Sequence, residues 1–587
     1  MNAPHDQGPT KSTAEGTPTA RDEYEVSEHV ESMKPGRADR KELESTIGSE
    51  TVIQRILDTS HPAQLVGKLA EEDFFWLVLD AEPDSSLEIL RLASEDQWTY
   101  VLDLLIWNNE GLDIDSAVEW FERLFLVDRS RLTSRLLNMT PTLLTVFLSK
   151  TIRLWVRGHD EPVDLSGQEW FTLDEVFYLR CRRRKHRVFI EELLKELADS
   201  DFDRYYAVMF ASAEIIPAEE EEGLKDLRNA RLADKGFVSW DEAMLIYSHI
   251  KPSQIYRKVP VSEYFSESDE EPGEGIPVTP VLLAESRDAF SRALSSILDT
   301  DTLDRLRLEF AGLCNMALSG EGCAPDEVSV LKRVYRKASG MVSIGIERTD
   351  AEPSVVLQEN ALIDLFRLGF SAVLDLKWKA EKWWKSSWAH GQGLSLSFWD
   401  RSLEGMLQGL FRKRPLRYDA ASESQPFVDF DSVEEVQACD RKLDTLEALD
   451  AFLEASCRQP IPDGEREDPF FTYKRCLYTI WARSSLDLDP VLSPLTASDL
   501  NRFFDRMAEA GGEVSAWSGP EVMDAFFDAL KAHMPQLSSD HWRRVRAVYK
   551  ELLDSVRDAF GKVKRADLDA RYVDLFRVWP GREETSI

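Results

Sequence analysis

The sequence predicts an all-α protein, and three observations carry that prediction. Apolar residues recur at three- and four-residue intervals through most of the chain. Runs with strict two-residue alternation are scarce. Asp, Ser, Thr or Pro repeatedly stand just ahead of the apolar stretches, where helix starts need a capping oxygen or tolerate a missing N–H. The 587 residues fit about four folding units at roughly 150 per domain.

Residues 1–46 are rich in Pro, Gly, Ser, Thr and charge, too poor in apolar side chains to offset ordering entropy, and are expected to form a disordered tail. From Val52 the spacing of Ile53, Ile56, Leu57, Leu65 and Leu69 is that of amphipathic helices. A weak repeat follows. The stretch from Leu69 to Leu79 aligns with Leu92 to Leu102, with a fainter third copy from Leu137 to Phe147. Acids or Pro occupy the first turn of the next helix in each unit. Units this short cannot cover their own apolar faces, so their neighbours must stack. A helical superhelix is therefore expected over 47–157, with Trp76 and Trp98 at equivalent contacts between units. Asp115 or Ser116 is expected to cap a helix burying Ala117, Trp120, Phe121, Leu124 and Phe125.

A second helical domain is expected over 158–261, with Ile190, Leu193, Leu194 and Leu197 forming its stripe. Within it, Val176 to Leu179 also reads as a short strand. The run Phe171 to Val176 echoes Phe237 to Ala243, either by duplication or by reuse of the same helix-start grammar. Ser266 to Gly275 is acidic and aperiodic, and places a linker at 262–281. A helical domain at 282–420 carries Leu303, Leu306, Phe310, Val330, Leu331, Val334 and Tyr335 at helical spacing, followed by a Trp/Lys-rich helix. Pro415 and the stretch 422–426 then mark a break before a C-terminal helical domain at 421–587.

Composition restricts function. The 71 Lys and Arg face 106 Asp and Glu, a formal net charge of -35. That balance argues against a general nucleic-acid binder, whose affinity comes from neutralising phosphates, and against docking on anionic membrane by bulk charge. The six cysteines show no Cys-x-x-Cys spacing, so no zinc knuckle or redox pair is expected and the thiols read as reduced. The start from Met1 has no basic region followed by an apolar stretch, and no apolar run approaches the roughly 18 residues of a spanning helix. A cytoplasmic protein is expected.

The motifs of catalysis are missing. There is no Gly-x-Ser-x-Gly elbow, no His-Glu-x-x-His face and no Gly-x-x-x-x-Gly-Lys loop. No catalytic residue, metal ligand or cofactor is assigned. The paired acids Glu71-Glu72-Asp73 and Glu95-Asp96 are read as first-turn complements of the helix dipole. Three basic clusters stand out, at 180–187, 412–417 and 541–546. They would contact phosphate, or else pair with the protein's own acids, such as Glu219 to Glu222, or with an acidic partner. The net charge favours the second alternative. The segment 377–388 mixes four Trp with four Lys, suited to core packing or to an interface anchor, with Phe370, Leu374, Trp384 and Trp388 on one helical face. The candidate partner-binding residues are therefore Arg182, Arg183, Arg184, Lys185, Arg412, Lys413, Arg414, Trp383, Trp384 and Trp388.

Three groups of residues carry a resemblance: Arg231 to Phe237 with Asp241-Glu242-Ala243, Phe366 to Phe370, and Leu403 to Leu407 through Arg414-Pro415-Leu416. On these the chain from about Val52 to Trp579 resembles an uncharacterised bacterial family of domains of unknown function. That resemblance implies shape and compartment but no mechanism. The Leu-x-x-Glu-Asp units at about 60–150 are also similar to the acidic helical superhelix of bacterial magnesium-transporter cytosolic domains, which implies magnesium sensing without assigning any ligand. The expected role is macromolecule binding or scaffolding through an extended helical surface, with another protein as the expected partner. The alternative is an enzyme or a small-ligand or divalent-cation regulator with a pocket between two helical arms.

Overall fold

The computed structural model describes residues 49–108, 111–157, 170–214, 217–255, 288–322, 328–422, 424–509, 520–560 and 574–579. The tail expected over 1–46 and the linker expected over 262–281 lie outside the described residues, as does Cys323. Among the described residues there are 25 α-helices and three short antiparallel strand pairs, so the protein is all-α.

The first helices are short and closely spaced: α1 (Ser49–Leu57), α2 (Pro62–Gly67), α3 (Glu71–Asp80), α4 (Pro83–Leu92), α5 (Glu95–Leu105), α6 (Ile114–Val127), α7 (Arg129–Asn138) and α8 (Pro141–Thr151). Pro62, Pro83 and Pro141 open α2, α4 and α8, where a missing N–H costs nothing. α1 packs on α3, α2 on α4, α3 on α5, α4 on α6 and α6 on α8. Most of these short helices thus lay an apolar face on the helix two further on. Between α5 and α6, β1 (Trp107–Asn108) and β2 (Gly111–Leu112) make a tight hairpin. The cap of α6 is Asp113, two residues earlier than expected, and the expected five-residue face is buried.

The chain then leaves helix. β3 (Ile152–Val156) pairs antiparallel with β4 (Phe177–Cys181), so the strand reading of Val176 to Leu179 holds over a slightly later span. Ile152, Trp155 and Val156 on β3 and Phe177 and Tyr178 on β4 suit the pleat. The echo at 171–176 does not open a helix. Thr172 and Asp174 accept backbone N–H bonds from Glu175, Val176 and Phe177, and Glu175 sits at φ +58°, so the segment turns into β4. At 237–243 the same grammar does open a helix. Ser239 and Glu242 form a capping box at the head of α12 (Trp240–Ala243), reached through α9 (Arg187–Ser200), α10 (Phe202–Glu214) and α11 (Pro217–Asp234). The next-but-one packing continues across residue 158, with α7 on α9 and α8 on α10. Single 3-10 turns at Met244–Tyr247 and Pro252–Gln254 follow.

The second half contains α13 (Ala289–Ser296), α14 (Thr300–Glu321), α15 (Val328–Glu347), α16 (Pro353–Glu359), α17 (Leu362–Ser386), α18 (Trp388–Gly391) and α19 (Asp400–Leu410). These are followed by a hairpin of β5 (Arg417–Tyr418) and β6 (Phe427–Val428). Then come α20 (Val433–Ser456), α21 (Asp463–Arg466), α22 (Tyr473–Ser485), α23 (Ala497–Glu509), α24 (Pro520–His533) and α25 (Ser539–Phe560). Its axis is the antiparallel pair α15 and α17. A Cβ added at Gly345 would overlap the carbonyl of Leu365, and one added at Gly369 would overlap that of Met341, so the two backbones touch. α20 packs on both α17 and α25. Arg577 is buried and donates to the Leu492 carbonyl at 2.9 Å, which ties residues 574–579 back onto the core.

The halves meet where α3 packs on α15, α12 on α14, and the 244–247 turn on α17. Trp76 and Trp98 are therefore not equivalent. Matching the helix starts pairs Ala70 with Ser94, one residue off the sequence alignment, and brings Trp98 level with Phe74. Trp98 donates to the Leu90 carbonyl at 2.9 Å beneath Arg131, within the first half. Trp76 instead meets Tyr335 of α15 edge-on at 5.5 Å, across the junction.

Candidate functional site

The three basic clusters differ in what already neutralises them. At 180–187, Arg182 donates to the carbonyls of Ile152 and Ser149 at 3.0 and 3.1 Å, closing the end of α8. Arg183, Lys185 and His186 converge on Asp115, with Lys185 at 2.8 Å and His186 at 2.9 Å. Hydrogen bonds from Lys185 and Arg183 hold the Asp115 carboxyl down at about 2. Arg184 also has its own contacts. Glu221, one of the acids expected to serve this cluster, accepts instead from Lys150 and the Leu112 N–H. At 541–546, Arg543 and Arg544 pair with Asp540, Arg544 also with Asp444, and Arg546 with Asp524.

The cluster at 412–417 divides: Arg417 pairs with Glu435 at 3.1 Å, and Arg414 lies 3.9 Å from Glu321. Arg414 turns inward, donating to the Gly320 carbonyl and stacking on Tyr247 at 4.4 Å. Arg412 and Lys413 are exposed and lie over rings, Arg412 over Phe427 at 4.0 Å and Lys413 over Trp240 at 5.3 Å. Among the described residues no carboxylate pairs with either.

The Trp/Lys helix divides by face. Trp383 and Trp388 are buried, Trp383 against Trp399 and Trp388 against Phe398. Trp384 is half-buried beside His390. The helix stops at Ser386, and Ser387 caps the next one, so Trp388 does not share a helical face with Trp384. These three rings belong to packing, and none is an open contact surface. Trp378 is 47% exposed. It shares its side of α17 with the exposed Lys382 and Lys385, at i+4 and i+7, which likewise have no carboxylate partner among the described residues.

Two sequence candidates thus join in space. Lys377 of α17 donates to the Arg412 carbonyl at 2.7 Å and lies 3.4 Å from that of Lys413. The segment from Trp240 to Ile250, whose first residues the sequence marks by their helix-start grammar and by the family resemblance, completes the face. Trp240 is 52% and Leu245 63% exposed. His249 lies over Trp378 at 5.0 Å and pairs with Asp375 at 2.9 Å. The Ile250 N–H donates to Ser371 of α17 at 2.9 Å. No local motif marks these residues, because the contacts span more than a hundred positions of sequence.

Beneath this face a charged network pins the segment. Lys337 of α15 is buried, 2.7 Å from Glu321 and 3.4 Å from Asp429, with Tyr247 at 5.1 Å from its ammonium. Burial pulls the Lys337 ammonium down, but Asp429, Tyr247 and Glu321 more than offset it and hold it above its ordinary value. A second group lies at the junction of the halves. Lys235 bonds Glu71 at 2.7 Å and lies 3.8 Å from Glu72, while Asn315 donates to the Lys235 carbonyl at 2.7 Å. Burial, with Glu72 beside it, pushes the Asp73 carboxyl up to about 8 against the pull of Arg307. First-turn acids therefore do more than complement a dipole, and Glu95 likewise binds Arg131 and Arg135.

A cavity of about 440 Å³ lies in the first half, lined by residues that include Pro141, Thr145, Ala207, Val208, Glu214 and Glu220. Among the described residues no group of three or more His, Cys, Asp or Glu is placed to hold a metal ion. None of their helices is long and apolar enough to cross a membrane. A match covers residues 29–579, to the family described as "Family of unknown function (DUF6178)". No curated protein and no solved structure matches the chain, so a likeness to magnesium transporters is not shown.

Proposed function

The chain belongs to that family of unknown function, whose match spans nearly all of it and brings no activity, so we propose a role from its own surface. The protein is a cytoplasmic scaffold that binds another protein. Its binding face is built from Trp378, Lys382 and Lys385 of α17, the pair Arg412-Lys413, and Trp240 with Leu245. One observation carries this reading. On a chain of net charge -35, Arg412 and Lys413 stand exposed without a carboxylate partner among the described residues, while Arg417 and Arg414 of the same cluster lie 3.1 Å from Glu435 and 3.9 Å from Glu321, and the exposed Trp240 lies beneath Lys413. Half-exposed tryptophan beside unneutralised cations is the composition of interface anchors.

A photo-crosslinking residue placed at Lys382 or Lys385 in the full-length protein, in extract of its own host, tests the reading. A discrete crosslinked product is expected from either position and none from Glu122, which is on α6. Products equal at all three positions, or missing at all three, would defeat it.

A further inference from the structure

Resting on that reading, we propose that the partner presents a short acidic peptide segment with one or two large apolar side chains. The cations supply the first half of the argument. Arg412 stacks its guanidinium face on Phe427 at 4.0 Å, which leaves its N–H edge to take a carboxylate. Lys413, Lys382 and Lys385 are exposed and have no carboxylate partner among the described residues. Trp240 and Trp378 supply the second half, since half-exposed indoles between cations offer apolar contact to a side chain lying among carboxylates.

The size of the ligand follows from the charges around the face. Asp375 is held by His249 and Arg348, Glu381 lies 3.7 Å from Lys377, and Glu242 closes the cap at Ser239. Asp241 is exposed beside Trp240. Screening confines each charge to about 8 Å in physiological salt. A short acidic segment therefore meets these cations with the exposed Asp241 the one of these acids that has no partner among the described residues. A nucleic acid or an anionic bilayer extends past them onto the surface of a strongly acidic chain, where it is repelled.

The test uses full-length protein and a fluorescent peptide of about twelve residues, Glu and Asp with two Phe, read by anisotropy. Binding should weaken at least about tenfold in Arg412→Glu/Lys413→Glu and in Lys382→Glu/Lys385→Glu, and fall as salt rises. Trp378→Ala should weaken it at least about threefold. Arg183→Glu/Lys185→Glu should leave it unchanged. A peptide that binds wild type and the reversed variants alike overturns the proposal. So does tighter binding of a single-stranded oligonucleotide or of phosphatidylserine vesicles. Tenfold tighter binding to a variant lacking 262–281 would assign the face to the chain's own acidic run and overturn it as well. No peptide binding while the Lys382 crosslink persists removes the acidic class but leaves the binding reading standing. Loss of both removes the binding reading too.

Discussion

Trp98 has no solvent contact, and its indole N–H bonds the Leu90 carbonyl at 2.9 Å. Trp76 is nearly as buried, yet its N–H has no partner among the described residues. The two rings therefore differ in what a phenylalanine would lose. Trp98→Phe leaves the Leu90 carbonyl only the longer bond from the Ala93 N–H at 3.4 Å and removes the surface beneath Arg131, and should cost about 2 kcal/mol. Trp76→Phe gives up volume but no hydrogen bond, and should cost about 1 kcal/mol. Urea midpoints check the order, and equal losses would contradict it. Carboxylates at either site, Trp76→Asp or Trp98→Asp, should both be strongly destabilising, because each would desolvate a charge and leave the volume of an indole unfilled. Periodicity foretold that both rings would be inside. It could not foretell their partners, since helix starts one residue off the alignment rotate a side chain by about 100°.

At the scale of elements, the pairing of α15 with α17 rests on glycine. Gly345 and Gly369 bring the two backbones into contact, and any Cβ there meets a carbonyl that cannot move without breaking its own helix. Gly369→Ala should therefore cost at least about 3 kcal/mol despite alanine's better helix propensity. Gly464→Ala, with open space around the added atom, should cost less than about 1 kcal/mol. Thermal melts of both variants test this, and a neutral Gly369→Ala would mean the helices stand further apart. Helices were legible in the sequence because they need only a local pattern and a cap. The crossing was not, since a glycine inside a helical run reads as a mild cost until its neighbour is known. The hairpin of β3 and β4 shows the same limit. Cap grammar at 171–176 favours a helix start, and the pairing of Ile152 with Cys181 thirty residues away prevails.

Across the whole molecule, the two halves are joined by buried polar groups as well as apolar ones. Asp73, at the head of α3 near the junction, keeps its proton to about 8, whereas an ordinary carboxyl releases it near 3.8. Between those values the folded chain holds a proton that the unfolded chain has lost, so stability contributed here falls as pH rises through that window. The melting temperature should decline from about pH 5 to about pH 8, and Asp73→Asn should flatten part of that decline. Identical slopes for the two proteins would show that Asp73 does not hold its proton there. The binding face is a product of the same scale. It needs α17, the 412–414 turn and the 240–250 segment in one place, and only the turn and the Trp/Lys helix announced themselves.

The sequence by itself determined the all-α class, the buried stripes and the places where helices begin, because each depends on neighbours within a turn or two. It also determined the acidity that makes an unneutralised basic patch conspicuous. The tertiary structure alone decided which cations keep their charge for a partner. Asp115 reaches Arg183 across 68 positions, and Asp444 reaches Arg544 across 100. Charge neutralisation is a matter of distance in space, on which spacing along the chain is silent.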